Sequence, residues 1–402
     1  MATPKRNGKR LYFDYAASTP LDPRVERAMR PYFLKHFGNP GSLHSFGQEA
    51  IAAVDASRET LARLLGADFR EVIFTGSATE ANNLALRGAV LAWREQAPHA
   101  GLQPRMIVSA IEHESVLETA HDLERDGVEV IYLPVDRAGF VNLDALRHAL
   151  NDRTVVVSIM YANNEIGVIQ PVAKIAALIA EFKKGAGKNA RYPLFHTDAV
   201  QAFQYLNCDV SALGIDMMTL SAHKIYGPKG IGVLYAKNVT TTNPSSIKGD
   251  VTGGGQEFGL RSGTENVPLI VGFAKAAEIT LAMQKKETKR MIALRNHLLK
   301  NIKKRFPTAK INGGATADET LPNILNVYIP GRTAEDMVVK LDLAGVAVSA
   351  GSACRARAMV SSYVIEALGY SKERAKSSLR FSLGRQTTKN EIVKLFSRFR
   401  GI

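Results

Sequence analysis

The sequence is poor in cysteine and lacks the long apolar runs of membrane proteins. Its two cysteines, Cys208 and Cys354, form neither a disulfide framework nor a motif with metal-site spacing. No apolar run reaches the length that crosses a membrane, and the basic residues 1–6 are not followed by the apolar core of a signal peptide. We therefore expect a cytoplasmic protein with no disulfide and no metal.

The charge balance raises the question of nucleic-acid binding. The chain has 52 lysines and arginines against 38 acidic residues, a formal net charge of +14. Its densest basic clusters, in residues 183–191, 285–290 and 300–305, are not interleaved with aromatic residues and match no nucleic-acid motif. We interpret them as solvated helix faces, so direct nucleic-acid binding is not expected. A basic surface can still attract tRNA or an acidic protein partner.

Composition and periodicity predict a globular α/β protein. Hydrophobic residues make up 46% of the chain and charged residues 22%. Short apolar strands alternate with helices from residue 71 to 237, which predicts a mostly parallel sheet flanked by helices, and a smaller α+β region follows a long helix. Ligands of such sheets bind beyond the carboxyl ends of the strands. The polar residues at such ends are Thr79, His113, Asn164, Asp198 and Lys224.

Lys224 lies between an apolar segment, residues 215–220, and a glycine-rich turn, residues 225–232. Partial desolvation at such a strand end disfavours the ammonium form and makes the free amine available as a nucleophile. An activated lysine beside a serine and a histidine suits Schiff-base chemistry with an aldehyde cofactor. An exposed lysine at a strand end is the alternative, and Lys224 alone does not decide between the two.

Asp198 and Gln201 make the cofactor hypothesis more specific. Asp198 ends a strand predicted over residues 192–197, and Gln201 follows three residues later. A carboxylate placed there can face a pyridine nitrogen, and an amide can face a ring hydroxyl. Pyridoxal phosphate (PLP) needs an anion at its ring nitrogen and a lysine for covalent attachment. The pattern therefore favours PLP as the cofactor.

A turn of small residues, 76–79, joins a strand predicted over residues 71–75 to a helix predicted over residues 80–96. Its backbone N–H groups would lie at the positive end of the helix, which is a common phosphate site. The alternative is an ordinary helix with Thr79 as its N-cap.

Cys354 lies in a segment of glycine, serine and alanine, followed closely by Arg355 and Arg357. The two arginines favour the reactive thiolate, so Cys354 is a candidate nucleophile. The alternative is a small buried cysteine, and we expect this structural role for Cys208.

Three motifs carry a resemblance to a known family. S-A-H-K-I-Y-G-P-K-G-I-G around Lys224, H-T-D-A-V-Q around Asp198 and S-A-G-S-A-C around Cys354 resemble the PLP-dependent cysteine desulfurases of the NifS/IscS type, in the class V aminotransferase family. The resemblance extends from about Tyr12 to about Arg385. It implies the PLP fold type I, with a large PLP-binding domain over residues 15–264. Residues 1–14 and 265–402 would form a small domain with a linking helix.

The resemblance also implies roles for individual residues. As catalytic residues it implies Lys224, Cys354 and His113, with His113 lying over the cofactor ring and moving protons. As cofactor-binding residues it implies Ala78, Thr79, His113, Asn164, Asp198, Gln201, Ser221, His223 and Lys224, with Thr264 reaching the phosphate of the neighbouring subunit in a homodimer. As substrate-binding residues it implies Asn39 and Arg380, whose guanidinium would clamp the substrate carboxylate. The turn reads Gly-Ser-Ala-Thr where many members have Ser-Gly-Ala-Thr.

The implied reaction converts L-cysteine to L-alanine and leaves a persulfide on Cys354, for iron–sulfur cluster assembly or tRNA thiolation. An iron–sulfur scaffold or another sulfur-acceptor protein would be the partner. The residues after Cys354 differ from the usual family pattern, and many relatives extend beyond the point where this chain ends, so the acceptor stays open. The alternatives are a selenocysteine lyase, a class V aminotransferase, or a non-enzymatic basic RNA-binding or scaffold protein.

Overall fold

The computed structural model describes residues 10–96, 101–186, 191–239, 245–314, 316, 318–351 and 361–399. Within these residues the strands are β1 Leu11–Tyr12, β2 Val72–Thr75, β3 Arg105–Ser109, β4 Glu129–Leu133, β5 Thr154–Ser158, β6 Leu194–Asp198, β7 Met217–Ser221, β8 Gly232–Ala236, β9 Lys310–Ile311, β10 Ile324–Tyr328, β11 Val346–Ala347 and β12 Ser378–Ser382. The α-helices are α1 Pro23–Met29, α2 Pro31–Leu34, α3 Ser45–Leu65, α4 Ala78–Arg94, α5 Glu114–Arg125, α6 Leu143–Ala149, α7 Val172–Ala186, α8 Val210–Leu213, α9 Val267–Arg305, α10 Ala334–Leu343, α11 Tyr363–Ala367, α12 Lys372–Lys376 and α13 Lys389–Arg398.

The centre of the fold is a seven-stranded sheet in the order β2-β8-β7-β6-β5-β3-β4. Strand β8 is antiparallel to both of its neighbours, and the other strand pairs are parallel. Strands β5, β6 and β7 are buried along their whole length because helices cover both faces of the sheet. The predicted α/β fold with a mostly parallel sheet is confirmed.

The first long helices follow the apolar periodicity of the sequence. Helix α3 buries one face of small and aliphatic side chains that recur at helical spacing. Helix α4 begins at Ala78, two residues before the predicted start, and Thr79, named in the alternative interpretation as its N-cap, lies inside the helix. The cap is Ser77, whose extended backbone lets its hydroxyl accept a hydrogen bond from Glu80 N at 3.1 Å.

A smaller region is built on the three-stranded antiparallel sheet β12-β10-β9. The 39-residue helix α9 joins it to the central sheet. The N-terminal strand β1 returns to this region and pairs in parallel with β11. The division into residues 15–264 and the remainder of the chain stays a prediction.

Helix α9 departs from the expectation that no apolar run has transmembrane length. By length and composition alone, one 18-residue window of this helix could cross a membrane. Half of that window is buried inside the fold, where α9 packs against α1 and α3. Its apolar character therefore has an explanation in core packing.

Candidate active site

A cleft of about 450 Å³ opens at the carboxyl ends of the parallel strands. It brings together residues that are far apart in the sequence, as the motif analysis predicts. The predicted site residues that line it are Ala78, Thr79, His113, Asn164, Asp198, Gln201, Ser221, His223, Lys224 and Arg380.

Lys224 ends a single 3-10 turn that follows β7. Its Nζ donates hydrogen bonds to the carbonyl oxygens of Ala16 at 2.6 Å and Ala17 at 2.8 Å. The N-terminal segment therefore holds the amine at the wall of the cleft. Burial, together with the charges of Lys224 and Lys229, lowers the pKa of His223 to about 4. The ring beside the lysine is consequently neutral at pH 7.

Asp198 is the last residue of β6 and is buried. Its Oδ2 accepts a hydrogen bond from Asn82 Nδ2 at 2.9 Å, and its Oδ1 accepts one from Val200 N at 3.0 Å. Each carboxylate oxygen can accept a further hydrogen bond, which is the capacity that a protonated ring nitrogen requires. Nearby, Gln201 Nε2 donates to Ala16 O at 3.0 Å and keeps a second N–H for a ligand.

His113 is the N-cap of α5. Its Nδ1 accepts a hydrogen bond from Ser115 N at 3.1 Å and lies 2.9 Å from Ser115 Oγ. The preceding residue, Glu112, is fully buried and accepts hydrogen bonds from Ser109 Oγ at 2.6 Å and Met160 N at 2.7 Å. Burial raises the pKa of Glu112 to about 8, so this carboxyl is mostly neutral at pH 7.

The turn before α4 has the geometry of an anion site. A Cβ on Gly232 would lie 2.4 Å from the carbonyl carbon of Ser77 and 2.6 Å from Ala78 N, so the turn packs directly on the glycine of β8. Glu80 fixes the turn from within, because its Oε2 accepts a hydrogen bond from Gly76 N at 2.8 Å. The first N–H groups of a helix have no partners within that helix and are suited to a phosphate.

Arg380 lies on β12 and is only 2% exposed. Its Nη1 donates to Asn164 O at 2.8 Å, and its Nη2 donates to Asp14 Oδ1 at 2.8 Å. Among the described residues, Arg380 Nε and Asn164 Oδ1 are buried without a hydrogen-bond partner. Buried polar groups are rarely left unpaired, and both of these atoms belong to residues that line the cleft.

Two predicted site residues, Asn39 and Thr264, do not line this cleft within one chain. Asn39 is exposed, and its Oδ1 accepts a hydrogen bond from Gly41 N at 2.9 Å, as in a local turn. Thr264 is also exposed and does not line the cleft. Cys354 lies outside the described residues, so its predicted role stays a prediction.

Sequence reasoning missed the residues that support the site from behind. Asn82 contacts Asp198, and Ser115 contacts His113. Asp14 contacts Arg380. The available signal for Asn82 was a polar side chain on the apolar face of α4, where its neighbours are buried alanines and leucines.

The residues present fit PLP. Asp198 can face the ring nitrogen, Lys224 offers the amine, the turn before α4 can bind the phosphate, and Arg380 can receive the carboxylate of an amino acid. Each of these functions has a separate residue in the same cleft.

Comparison with known proteins agrees with this assignment. The sequence pattern of the aminotransferase class-V family matches residues 11–395. The chain belongs to this family. Class-V aminotransferases depend on PLP, and PLP is therefore the cofactor of this chain.

The relatives of this chain include cysteine desulfurases. It is 40% identical to the cysteine desulfurase IscS of Dictyoglomus turgidum over 384 residues, covering 96% of this chain and 92% of that protein. A solved NifS-like protein superimposes with a TM-score of 0.85 at 34% identity, covering 97% of this chain and 98% of that one. SspA in complex with cysteine superimposes with a TM-score of 0.77 at 34% identity, covering 93% and 98%.

Proposed function

We propose that this protein is a PLP-dependent cysteine desulfurase. It converts L-cysteine to L-alanine and transfers the sulfur to one of its own cysteines. The observation that carries the proposal is the single cleft in which Lys224, Asp198 and Arg380 meet, in a chain whose relatives are cysteine desulfurases.

Different residues of the cleft bind the cofactor, bind the substrate and transfer protons. When bound, PLP supplies an aldehyde that reacts with amines and a ring that accepts electron pairs from the substrate carbon atoms. Asp198 holds the ring nitrogen protonated, and the turn before α4 binds the phosphate. Arg380 binds the carboxylate of L-cysteine through its guanidinium at the wall of the cleft. Lys224 takes the proton from the substrate Cα and returns it during alanine formation.

Cys354 receives the sulfur in this proposal. Its thiolate attacks the sulfur of the bound L-cysteine, so an S–S bond forms while the Cβ–S bond breaks. The electron pair of the broken bond stays on Cβ, which then takes up a proton to become the methyl group of alanine. The products are L-alanine and a persulfide on Cys354, and no external oxidant or reductant is required. Cys208 is unsuited to this role because burial raises the pKa of its thiol far above the usual range.

The proposal includes a homodimer. Several large apolar side chains are exposed around the exposed Asn39, and they are Phe33, Leu34, Phe37, Leu43 and Phe46, of which Leu43 is 94% exposed. Such a patch on one chain is typical of a protein interface. In a dimer Asn39 would contribute to substrate binding, and Thr264 would reach the phosphate site of the partner subunit.

The sulfur acceptor is proposed to be an iron–sulfur scaffold or another sulfur-acceptor protein in the cytoplasm. The reaction needs Cys354 as a free thiol, and the cytoplasm keeps thiols reduced. The choice of acceptor depends on residues 352–360, which lie outside the described part of the chain.

The test is to find the persulfide. The holoenzyme is incubated with L-cysteine, its thiols are alkylated without reduction, and the peptides of Cys354 and Cys208 are compared by mass spectrometry. We expect one extra sulfur on Cys354 together with alanine formation. Cys354→Ala should abolish both, whereas the matched variant Cys208→Ala should retain both. Alanine formation that survives Cys354→Ala would contradict the proposal and favour a lyase that works without an enzyme thiol. A 2-oxo acid that keeps the sulfur, formed in place of alanine, would contradict it in favour of an aminotransferase.

A further inference from the structure

A continuous set of hydrogen bonds behind the cleft joins Asp198 to His113. Asn82, on α4, is fully buried, and its Nδ2 lies 2.9 Å from Asp198 Oδ2 and 2.8 Å from Ser115 Oγ. Ser115 Oγ lies 2.9 Å from His113 Nδ1, and Ser115 N lies 3.1 Å from the same atom. The group at the ring nitrogen of the cofactor is thus linked to the histidine by two intervening residues.

The direction of these hydrogen bonds follows from the chemistry of the donors. An amide nitrogen such as Asn82 Nδ2 only donates, so Ser115 Oγ accepts from it and can direct its own hydrogen to His113 Nδ1. The backbone N–H of Ser115 also only donates, and it too points to Nδ1. Because Nδ1 accepts, the neutral ring carries its proton on Nε2.

The surroundings of the ring also disfavour the imidazolium. His113 caps the N-terminus of the 12-residue helix α5, where the helix dipole opposes a positive charge. A proton on Nδ1 would face the N–H of Ser115, leaving two donors in contact. Within the part of the chain that the structure describes, the charged or titratable groups nearby are Glu112, Glu114, Glu165, Asp198, His223, Lys224, Lys229 and Arg380.

These neighbours give little support to a charged ring. Lys224 and Arg380 line the same cleft and oppose a further positive charge. Burial raises the pKa of Glu112 and of Glu165, which reduces the negative charge that either offers at pH 7. The Asp198 carboxylate is already bound by Asn82 and Val200 N. The remaining acid of this group is Glu114, the first residue of α5, which follows His113 directly in the sequence.

We propose that Asn82 and Ser115 are positioning residues that hold His113 neutral with its ring proton on Nε2. His113 then acts in the cleft as a hydrogen-bond donor and not as a base. Proton transfer at the substrate carbons therefore falls to Lys224. This inference deepens the proposed function and rests on it for the identity of the reaction, but the protonation state of His113 can be measured without any reaction.

The test observes the ring directly in the apoprotein. Full-length protein is labelled with ¹⁵N-histidine, and two-bond ¹H–¹⁵N correlation spectra are recorded at pH 7, with His113 assigned from the spectrum of His113→Gln. We expect a protonated Nε2 and an unprotonated Nδ1. A ring with its proton on Nδ1, or with protons on both nitrogens, would overturn the proposal.

Variants test whether the two residues cause this state. Ser115→Ala and Asn82→Ala should give a mixture of tautomers or a partly protonated ring, while Ser115→Thr, which keeps the hydroxyl, should resemble the wild type. Ser57→Ala is the matched control, because Ser57 is also a buried helical serine and its hydroxyl donates to Ala53 O away from the cleft. An unchanged His113 signal in both alanine variants would refute the positioning role.

Turnover of the holoenzyme gives a second readout. Removing a hydrogen bond of this kind should lower kcat on L-cysteine about tenfold in Ser115→Ala and leave KM within about twofold, because the residue acts through His113. An unchanged kcat would count against the proposal even if the tautomer shifts. If the wild type shows no desulfurase activity, the proposed function fails while the tautomer result stands on its own.

Discussion

A substitution at Arg380 can distinguish an effect on substrate binding from an effect on folding. Its guanidinium is almost fully buried, donates to Asn164 O and Asp14 Oδ1, and has an Nε without a partner among the described residues. Arg380→Lys keeps the positive charge but removes the planar fork that can hold a carboxylate by two parallel hydrogen bonds. The variant should therefore bind L-cysteine more weakly while the cofactor site stays intact.

The expected size follows from the contacts. A lysine ammonium can bind the substrate carboxylate as a point charge, so the net loss is one charge-assisted hydrogen bond, worth about 1.5–3 kcal/mol. At about 1.4 kcal/mol per factor of ten, substrate affinity should fall roughly 10- to 150-fold. Lysine also cannot donate to Asn164 O and Asp14 in the same geometry as the arginine, so we expect some loss of stability.

The assay is alanine formation as a function of L-cysteine concentration, with urea denaturation measured on the same samples. We expect KM to rise by at least about tenfold with a smaller change in kcat. Arg295→Lys is the matched control, since Arg295 is 8% exposed, donates to Ile324 O at 2.8 Å and does not line the cleft. A wild-type KM in Arg380→Lys, or an equal rise in the control, would refute the assignment.

Three further predictions concern stability and cofactor binding. Burial raises the pKa of Glu112 to about 8, so its contribution to stability is complete below the ordinary glutamate pKa and is lost as the pH rises towards 8. In Glu112→Gln, the free energy of unfolding measured by urea denaturation should fall less steeply as the pH rises towards 8. The same pH dependence in the variant and the wild type would contradict the raised pKa of Glu112. Glu257 forms a buried ion pair with Arg58 at 2.7 Å, so Glu257→Gln should lower the free energy of unfolding by about 3–5 kcal/mol. Asp336 forms an exposed ion pair with Lys340, so Asp336→Asn should lower it by less than about 1 kcal/mol. Equal losses in urea denaturation would refute this ranking. Gly232→Ala should displace the turn before α4 and weaken PLP binding at least about tenfold, as measured by absorbance titration. Gly185→Ala is the control, because open space surrounds Gly185, and it should leave PLP affinity unchanged. Equal PLP affinities in the two variants would show that the turn is not the phosphate site.

Local sequence patterns predicted the central sheet and most of the cleft. The strand ends could be located because apolar runs stop at polar residues, and parallel strands bring their carboxyl ends to one edge of the sheet. Thus Asp198 and Lys224, 26 positions apart along the chain, were expected in one site before their contacts were known. The start of α4 was misplaced because Ser77 and Thr79 are both good capping residues, and only the extended backbone at Ser77 decides between them.

Contacts between distant segments could not be predicted from the sequence. Asn82 meets Ser115 only because α4 and α5 pack side by side, and their rotation on the sheet sets which polar side chains face each other. Asp14 and Arg380 are likewise joined by the return of the N-terminal segment to β12. No local pattern carries this information, since it depends on packing between elements.

The central claim is that Lys224 is the residue to which PLP attaches. The most direct measurement is to reduce the PLP-loaded enzyme with sodium borohydride and map the modified peptide by mass spectrometry. We predict a pyridoxyl group on Lys224 and none on Lys229, which also lines the cleft. A pyridoxyl group on Lys229 or elsewhere, or no adduct at all, would contradict the account.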